Sequence, residues 1–170
     1  FVSIDDADDC LSSEAAEQQA TTEAQEAHNQ QLYEAALAQH SSGNREAAIA
    51  AYRQLLEQPL VAQAEEANSN AQKGSKSTDD QETWRPSLHL RFLALKNLSE
   101  LEEAAGQPAS ALALLLLAVR LEQRDATLWQ RLGLLAVRTG QRSLGRLAYE
   151  QAVACSPHHQ LAARRLHELL

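Results

Sequence analysis

The sequence predicts an all-α fold built as a solenoid of helical hairpins. Three observations carry that prediction. Strand signals are nearly absent, while Ala, Leu, Glu, Gln and Arg recur at helical spacing along the chain. Glycines fall at Gly43, Gly106 and Gly140, each closing one periodic segment and opening another, as residues just past a helix C-terminus do. Moving Gly106 onto Gly140, a shift of 34 residues, also carries Leu95 to Trp129, Leu98 to Leu132, Ala111 to Gly145, Leu115 to Tyr149 and Ala118 to Ala152. A period of that length marks stacked two-helix units, none of which buries its apolar face alone.

The elements follow in order. Residues 1–22 form an acidic leader, aromatic-poor and expected to be disordered. Residues 23–61 are the first repeat, legible in Leu32, Ala36, Gly43, Ala48, Tyr52 and Leu55. Residues 62–87 are read as a flexible polar insert, because "EEANSNAQKGSKSTDDQETWRPS" has no apolar periodicity and lengthens the first interval by 29 residues. Residues 88–124 and 125–158 are the second and third repeats, and residues 159–170 a capping helix or the first helix of a further repeat.

The third repeat matches the tetratricopeptide pattern W-x2-L-G-x2-Y, then a small residue, an aromatic and a proline. Trp129, Leu132, Gly133, Gly145, Tyr149, Ala152 and Pro157 meet it in register as repeat-packing residues, with Ala136 in place of the usual tyrosine. Gly133 interrupts an otherwise apolar helix at a propensity penalty of roughly 1 kcal/mol. The register explains it: a residue without a side chain lets the second helix approach, with Ala36 and Ser99 at the same place in the other repeats. Gly133→Leu is expected to unfold the third repeat by overpacking.

Composition limits what such a scaffold can do. A chain of 170 residues, 44% hydrophobic, can bury one real core, and no apolar run approaches a membrane span, so a soluble domain without a membrane partner is expected. Cys10 and Cys155 lie far apart, which suits neither a disulfide framework nor a zinc site and fits a reducing compartment. The chain starts at Phe1, has no Met and shows no secretory leader, and it reads as part of something longer. The net charge of −8 comes entirely from residues 1–26, where eight acids meet no base. From Arg85 onward there are 11 bases and 7 acids.

Catalytic and ligand signatures do not emerge. There is no phosphate loop, nucleophile elbow or HExxH, and His158 and His159 beside Cys155 belong to a turn between repeats, so no enzyme, metal or cofactor is expected. The triplet Asn97, Leu98, Ser99 matches a glycosylation acceptor but falls inside a helix. Arginines are scattered without interleaved aromatics, which speaks against direct nucleic-acid binding.

Protein binding is the remaining expectation, because the first helices of stacked hairpins line a groove that takes extended or helical partners. The partner-binding groove should display Tyr33 and Leu37, then Leu93, Lys96, Asn97 and Glu100, then Gln130, Arg131, Leu134 and Arg138, with Gln30, His40, Glu103, Thr127 and Val137 beside them. For Leu93, Leu134 and Val137, contact with a neighbouring helix is an equal alternative. Arg131→Glu should leave folding intact and weaken a groove partner. A co-chaperone carboxylate clamp needs Lys, Asn, Asn, Lys and Arg at fixed groove positions. Asn97 and Arg131 fit it, whereas Tyr33, Leu37 and Thr127 do not.

Particular segments go further. "LYEAALAQHSSGNREAAIAAYRQLLE", "LKNLSELEEAAGQPASALALLLLAVRLEQRDATLW" and "LGRLAYEQAVACSPHH", with the KNL, AVRL, LW and C-x-P-x-H elements in this order, resemble the N-terminal repeats of the calcineurin-binding protein Cabin family over about residues 23–160. That resemblance implies a non-catalytic helical-repeat scaffold of a nuclear HIRA histone chaperone complex, which deposits H3.3 outside replication. It implies other subunits of that complex as partners, with histones a further candidate through the acidic leader, and it places the calcineurin-binding region elsewhere in the family's proteins. A generic peptide-binding adaptor of co-chaperone type is the alternative. Self-association through Leu161, Leu166 and Leu169 of the last helix is also open.

Overall fold

The computed structural model describes residues 5–62 and 86–169, with side chains from residue 17 onward. The described residues contain helices and turns and no strand. Seven helices of ten residues or more are numbered here: α1 (Asp5–Ser41), α2 (Arg45–Glu57), α3 (Pro86–Ala104), α4 (Pro108–Leu121), α5 (Ala126–Arg138), α6 (Arg142–Cys155) and α7 (Gln160–Leu169). Three hairpins, α1/α2, α3/α4 and α5/α6, are followed by α7 packed on α6. Residues 63–85, nearly all of the predicted insert, lie outside the described residues, as does Leu170.

Each hairpin turns at the predicted glycine. Gly43, Gly106 and Gly140 have φ of 81°, 79° and 82°, a left-handed conformation open to glycine at no steric penalty. At each, the following N–H reaches five residues back (Asn44 to Gln39, Gln107 to Glu102, Gln141 to Ala136), satisfying a carbonyl the helix end would leave free.

The leader differs from expectation. A disordered segment to residue 22 is the expectation, and α1 instead runs unbroken from Asp5 to Ser41, continuous with the first helix of the first repeat. From Asp5 to Ser42 there is neither Gly nor Pro, and Ala, Glu and Gln have high helix propensity, so a helix nucleated by packing of its C-terminal half propagates backwards. From Glu17 to His28 every side chain is exposed except the half-buried Glu26.

Packing runs along the stack one neighbour at a time. α3 feeds two cores: Ala94, Leu98 and Leu101 meet Ala36, Tyr52, Leu55 and Val61 on one side, and Phe92 and Leu95 meet Leu112, Leu115, Leu128, Leu132 and Leu135 on the other. A third, smaller cluster joins Tyr149 and Ala152 to Ala162 of α7. The crossing inside the third hairpin is as close as the sequence predicts. A Cβ added at Gly133 would lie 2.8 Å from Tyr149 Cε1, and one at Gly145 would lie 2.6 Å from Val137 Cγ2. Ala36 and Ser99, at the equivalent positions, are both fully buried.

Two repeat-packing expectations change in detail. Trp129 is half-buried, touching the second and third clusters while its indole N–H donates to Gln123 O at 2.8 Å. Pro157 is exposed in the turn after α6 and packs no core; lacking an N–H, it can only mark where that helix stops.

Candidate functional site

The predicted groove residues lie on α1, α3 and α5, the first helices of the three hairpins. Their side chains are joined across repeats by two polar assemblies. In the first, Asn97 Nδ2 donates to the hydroxyls of Tyr33 at 3.2 Å and Tyr52 at 3.1 Å, tying α3 to both helices of the first repeat. The Tyr33 and Tyr52 rings lie 6.0 Å apart between centroids, and His40 meets Tyr52 edge-on at 6.3 Å. Burial holds the Tyr52 hydroxyl above the ordinary tyrosine range, with the Asn97 hydrogen bond opposing it.

The second assembly is a ladder of charge between α3 and α5. Arg131 pairs with Glu100 at 2.6 Å and approaches Glu103 at 3.7 Å, and Arg138 also pairs with Glu103. The charges of the groove residues Arg131 and Arg138 are therefore neutralised by the preceding repeat. Sequence reading missed the pairing although a signal existed: the partners are 31 and 35 residues apart, close to one repeat length. Behind the same helix, Glu102 is only 4% exposed and pairs with Arg53 of α2.

The remaining groove positions divide. Leu93 packs on the second core and Val137 on the third, so the neighbouring-helix reading holds for these two. Gln130 and Leu134 are half-buried, Thr127 is exposed, and Gln30 is exposed with its amide bonded to Glu34. Leu37 is 43% exposed, one of four large apolar side chains open to solvent among the described residues. Lys96 is half-buried and makes no ion pair among the described residues. Between His40, Gly43, Arg45, Glu100, Leu101 and Ala104 lies a recess of about 320 Å³ at the seam of the first two repeats.

Other sequence candidates resolve structurally. Ser99 is buried with its hydroxyl on Lys96 O at 2.6 Å, and Asn97 is held by two tyrosines, so that triplet presents no open acceptor. Cys155 Sγ donates to Gln123 O at 3.2 Å, and His159 Nδ1 accepts the Ala162 N–H at 3.3 Å at the start of α7. The apolar face expected on the last helix is smaller than predicted: Leu166 and Leu169 pack against the Tyr149 cluster, leaving Leu161 at 49% exposure. No helix among the described residues is long and apolar enough to cross a membrane.

The family described as the CABIN1 N-terminal domain matches residues 26–170. The chain belongs to that family. Its relative Calcineurin-binding protein 1 of Arabidopsis thaliana is 32% identical over 150 residues, which is 87% of this chain and 7% of that protein. The chain thus spans a small part of its relative's length. The resemblance carried by the KNL, AVRL and LW elements is borne out.

Among solved structures, the C-terminal tetratricopeptide domain of a putative FK506-binding protein of Plasmodium falciparum superposes with a TM-score of 0.60 at 11% identity, covering 85% of this chain and 87% of that one. The first such domain of Spaghetti (RPAP3), bound to the HSP90 peptide SRMEEVD, gives a TM-score of 0.57 at 14% identity over 83% and 89% of the two chains. PcrH with the chaperone-binding region of PopB gives 0.53 at 14% identity over 84% and 94%. At these identities the likeness shows the fold alone. CABIN1 N-terminal family and tetratricopeptide fold together are those of a protein-interaction scaffold.

Proposed function

We propose that this segment is a non-catalytic docking module of a nuclear, HIRA-type histone chaperone complex, in which the faces of α1, α3 and α5 hold another subunit of the complex. The observation that carries the proposal is the family match over residues 26–170. The groove supports it through what it leaves available. Its carboxylates and arginines are mutually paired, so recognition falls to Tyr33, Leu37, Lys96, Gln130 and Leu134, a mixed surface suited to a folded or helical partner.

A co-chaperone adaptor has less support. Of the five clamp positions only Asn97 and Arg131 match, and both are committed internally, Asn97 to two tyrosines and Arg131 to two glutamates. A free C-terminal carboxylate would have to displace those partners.

The test is a pull-down of this chain, with and without residues 1–26, against purified HIRA-complex subunits and against H3.3 with H4, at two salt concentrations. Capture of a subunit that survives high salt and removal of the acidic segment supports docking through the repeats. Capture of histones alone, lost with salt or with that segment, would overturn the proposal and make the acidic helix the active part.

A further inference from the structure

The start of α7 is built on the same plan as the start of α5, with one chemical difference. Asp125 stands before α5 and accepts the Thr127 and Leu128 N–H groups with its carboxylate. One repeat of 34 residues later, His159 stands before α7, taking the Ala163 N–H on its own carbonyl and the Ala162 N–H on Nδ1 at 3.3 Å. Leu128 and Ala162 are themselves one repeat apart, so carboxylate and imidazole fill the same capping role. Only a neutral imidazole can fill it. Once it is protonated, both ring nitrogens are donors, the Ala162 N–H loses its acceptor, and a positive charge stands at the positive end of the helix dipole.

α7 has little else to hold it. It is ten residues long, a length at which an isolated helix is marginal in water, and it packs on α6 through Ala162, Leu166 and Leu169 against Tyr149 and Ala152. No charged neighbour forms an ion pair with His159 among the described residues. In its own turn stand the exposed His158 and Cys155, whose thiol is on Gln123 O. On α6 the nearest charge along the chain, Glu150, pairs with Arg146 at 3.0 Å. In the turn before α5, Glu122 accepts the Arg124 N–H and Asp125 is the α5 cap. Beyond the uncharged first turn of α7, Arg164 and Arg165 share Glu168.

We infer that the joint between the third repeat and α7 is pH-sensitive: His159 holds the helix while neutral, and protonation, which imidazoles undergo in the mildly acidic range, loosens α7 from the Tyr149 face. The cap is complete at neutral and higher pH and is lost as pH falls. This holds whichever surface of the stack takes a partner.

Hydrogen exchange of the whole chain by NMR, each amide corrected for its intrinsic rate, tests it between about pH 7.5 and about pH 5. Protection of Ala162, Ala163 and Leu166 should fall about tenfold across that range, while Leu128, on a carboxylate cap, holds steady and reports that the third repeat stays folded. His159→Asn, a cap at every pH, should remove the dependence at high protection, and His159→Ala should remove it at low protection. His158→Gln should leave the dependence in place. Flat protection in the unsubstituted chain, a fall shared by Leu128 or confined to Ala162, or a dependence that survives His159→Asn or vanishes with His158→Gln would overturn the inference.

Discussion

At the residue scale, the third hairpin shows how far a single position can be read. Gly133 is intelligible from sequence because the 34-residue register places it opposite Tyr149, and the structure puts the missing Cβ 2.8 Å from that ring. Gly133→Ala should therefore destabilise by about 1–3 kcal/mol through overpacking. Tyr149→Leu in the same chain should relieve part of that loss, and a double-mutant cycle in urea would show strong non-additivity. Strictly additive losses would remove the contact from the explanation. Arg131 was less legible, since its partners sit on another repeat. Arg131→Glu places a third carboxylate beside Glu100 and Glu103, so folding does not stay untouched. A loss of about 1 kcal/mol is expected at low salt, shrinking as ionic strength rises, as melting at two salt concentrations would report.

Two buried tyrosines add a pH dependence. Burial raises the Tyr149 hydroxyl, with Arg165 pulling it down, and burial likewise raises Tyr52, both from the ordinary 10.0. Below that value the hydroxyl is neutral in folded and unfolded chains, and its contribution to stability is complete. Above it the unfolded chain releases its protons first, so stability falls as pH rises towards the folded values. Loss of helical circular dichroism should accompany tyrosinate absorption in an alkaline titration. Full tyrosinate formation with helicity intact would contradict the burial of these rings.

At the scale of elements, hairpin turns were the most legible feature, because a positive φ demands glycine at Gly43, Gly106 and Gly140. Helix starts were less so. At the start of α5, Asp125 Oδ1 accepts the N–H groups of Thr127 at 2.9 Å and Leu128 at 3.1 Å, whereas the residues before α2, α4 and α6 make no such side-chain bond. Asp125→Ala should cost about 1 kcal/mol, measurable by denaturant unfolding, and an unchanged midpoint would show that the packing of Leu128 and Trp129 alone holds this end. The acidic leader was misread because a helix that is polar all round carries no apolar period. Its helicity comes from propensity and from continuity with the packed half of α1, neither of which periodicity detects.

At the scale of the whole molecule, each hairpin contacts the next, and α3, which serves two cores, is the hinge of the stack's stability. The period and the family segments made the architecture legible from one chain. The groove's chemistry was not legible to the same degree, because its charges cancel between repeats and two of its apolar positions belong to cores. What remains open to a partner on the first helices centres on Leu37, whereas Leu147 of α6, 50% exposed, is equally open on a second helix. A photo-crosslinking amino acid at each of these two positions, irradiated in the presence of the captured subunit, distinguishes the faces directly. The account predicts covalent capture from position 37 and none from position 147; capture from position 147 alone would place the docking surface on the other face of the stack.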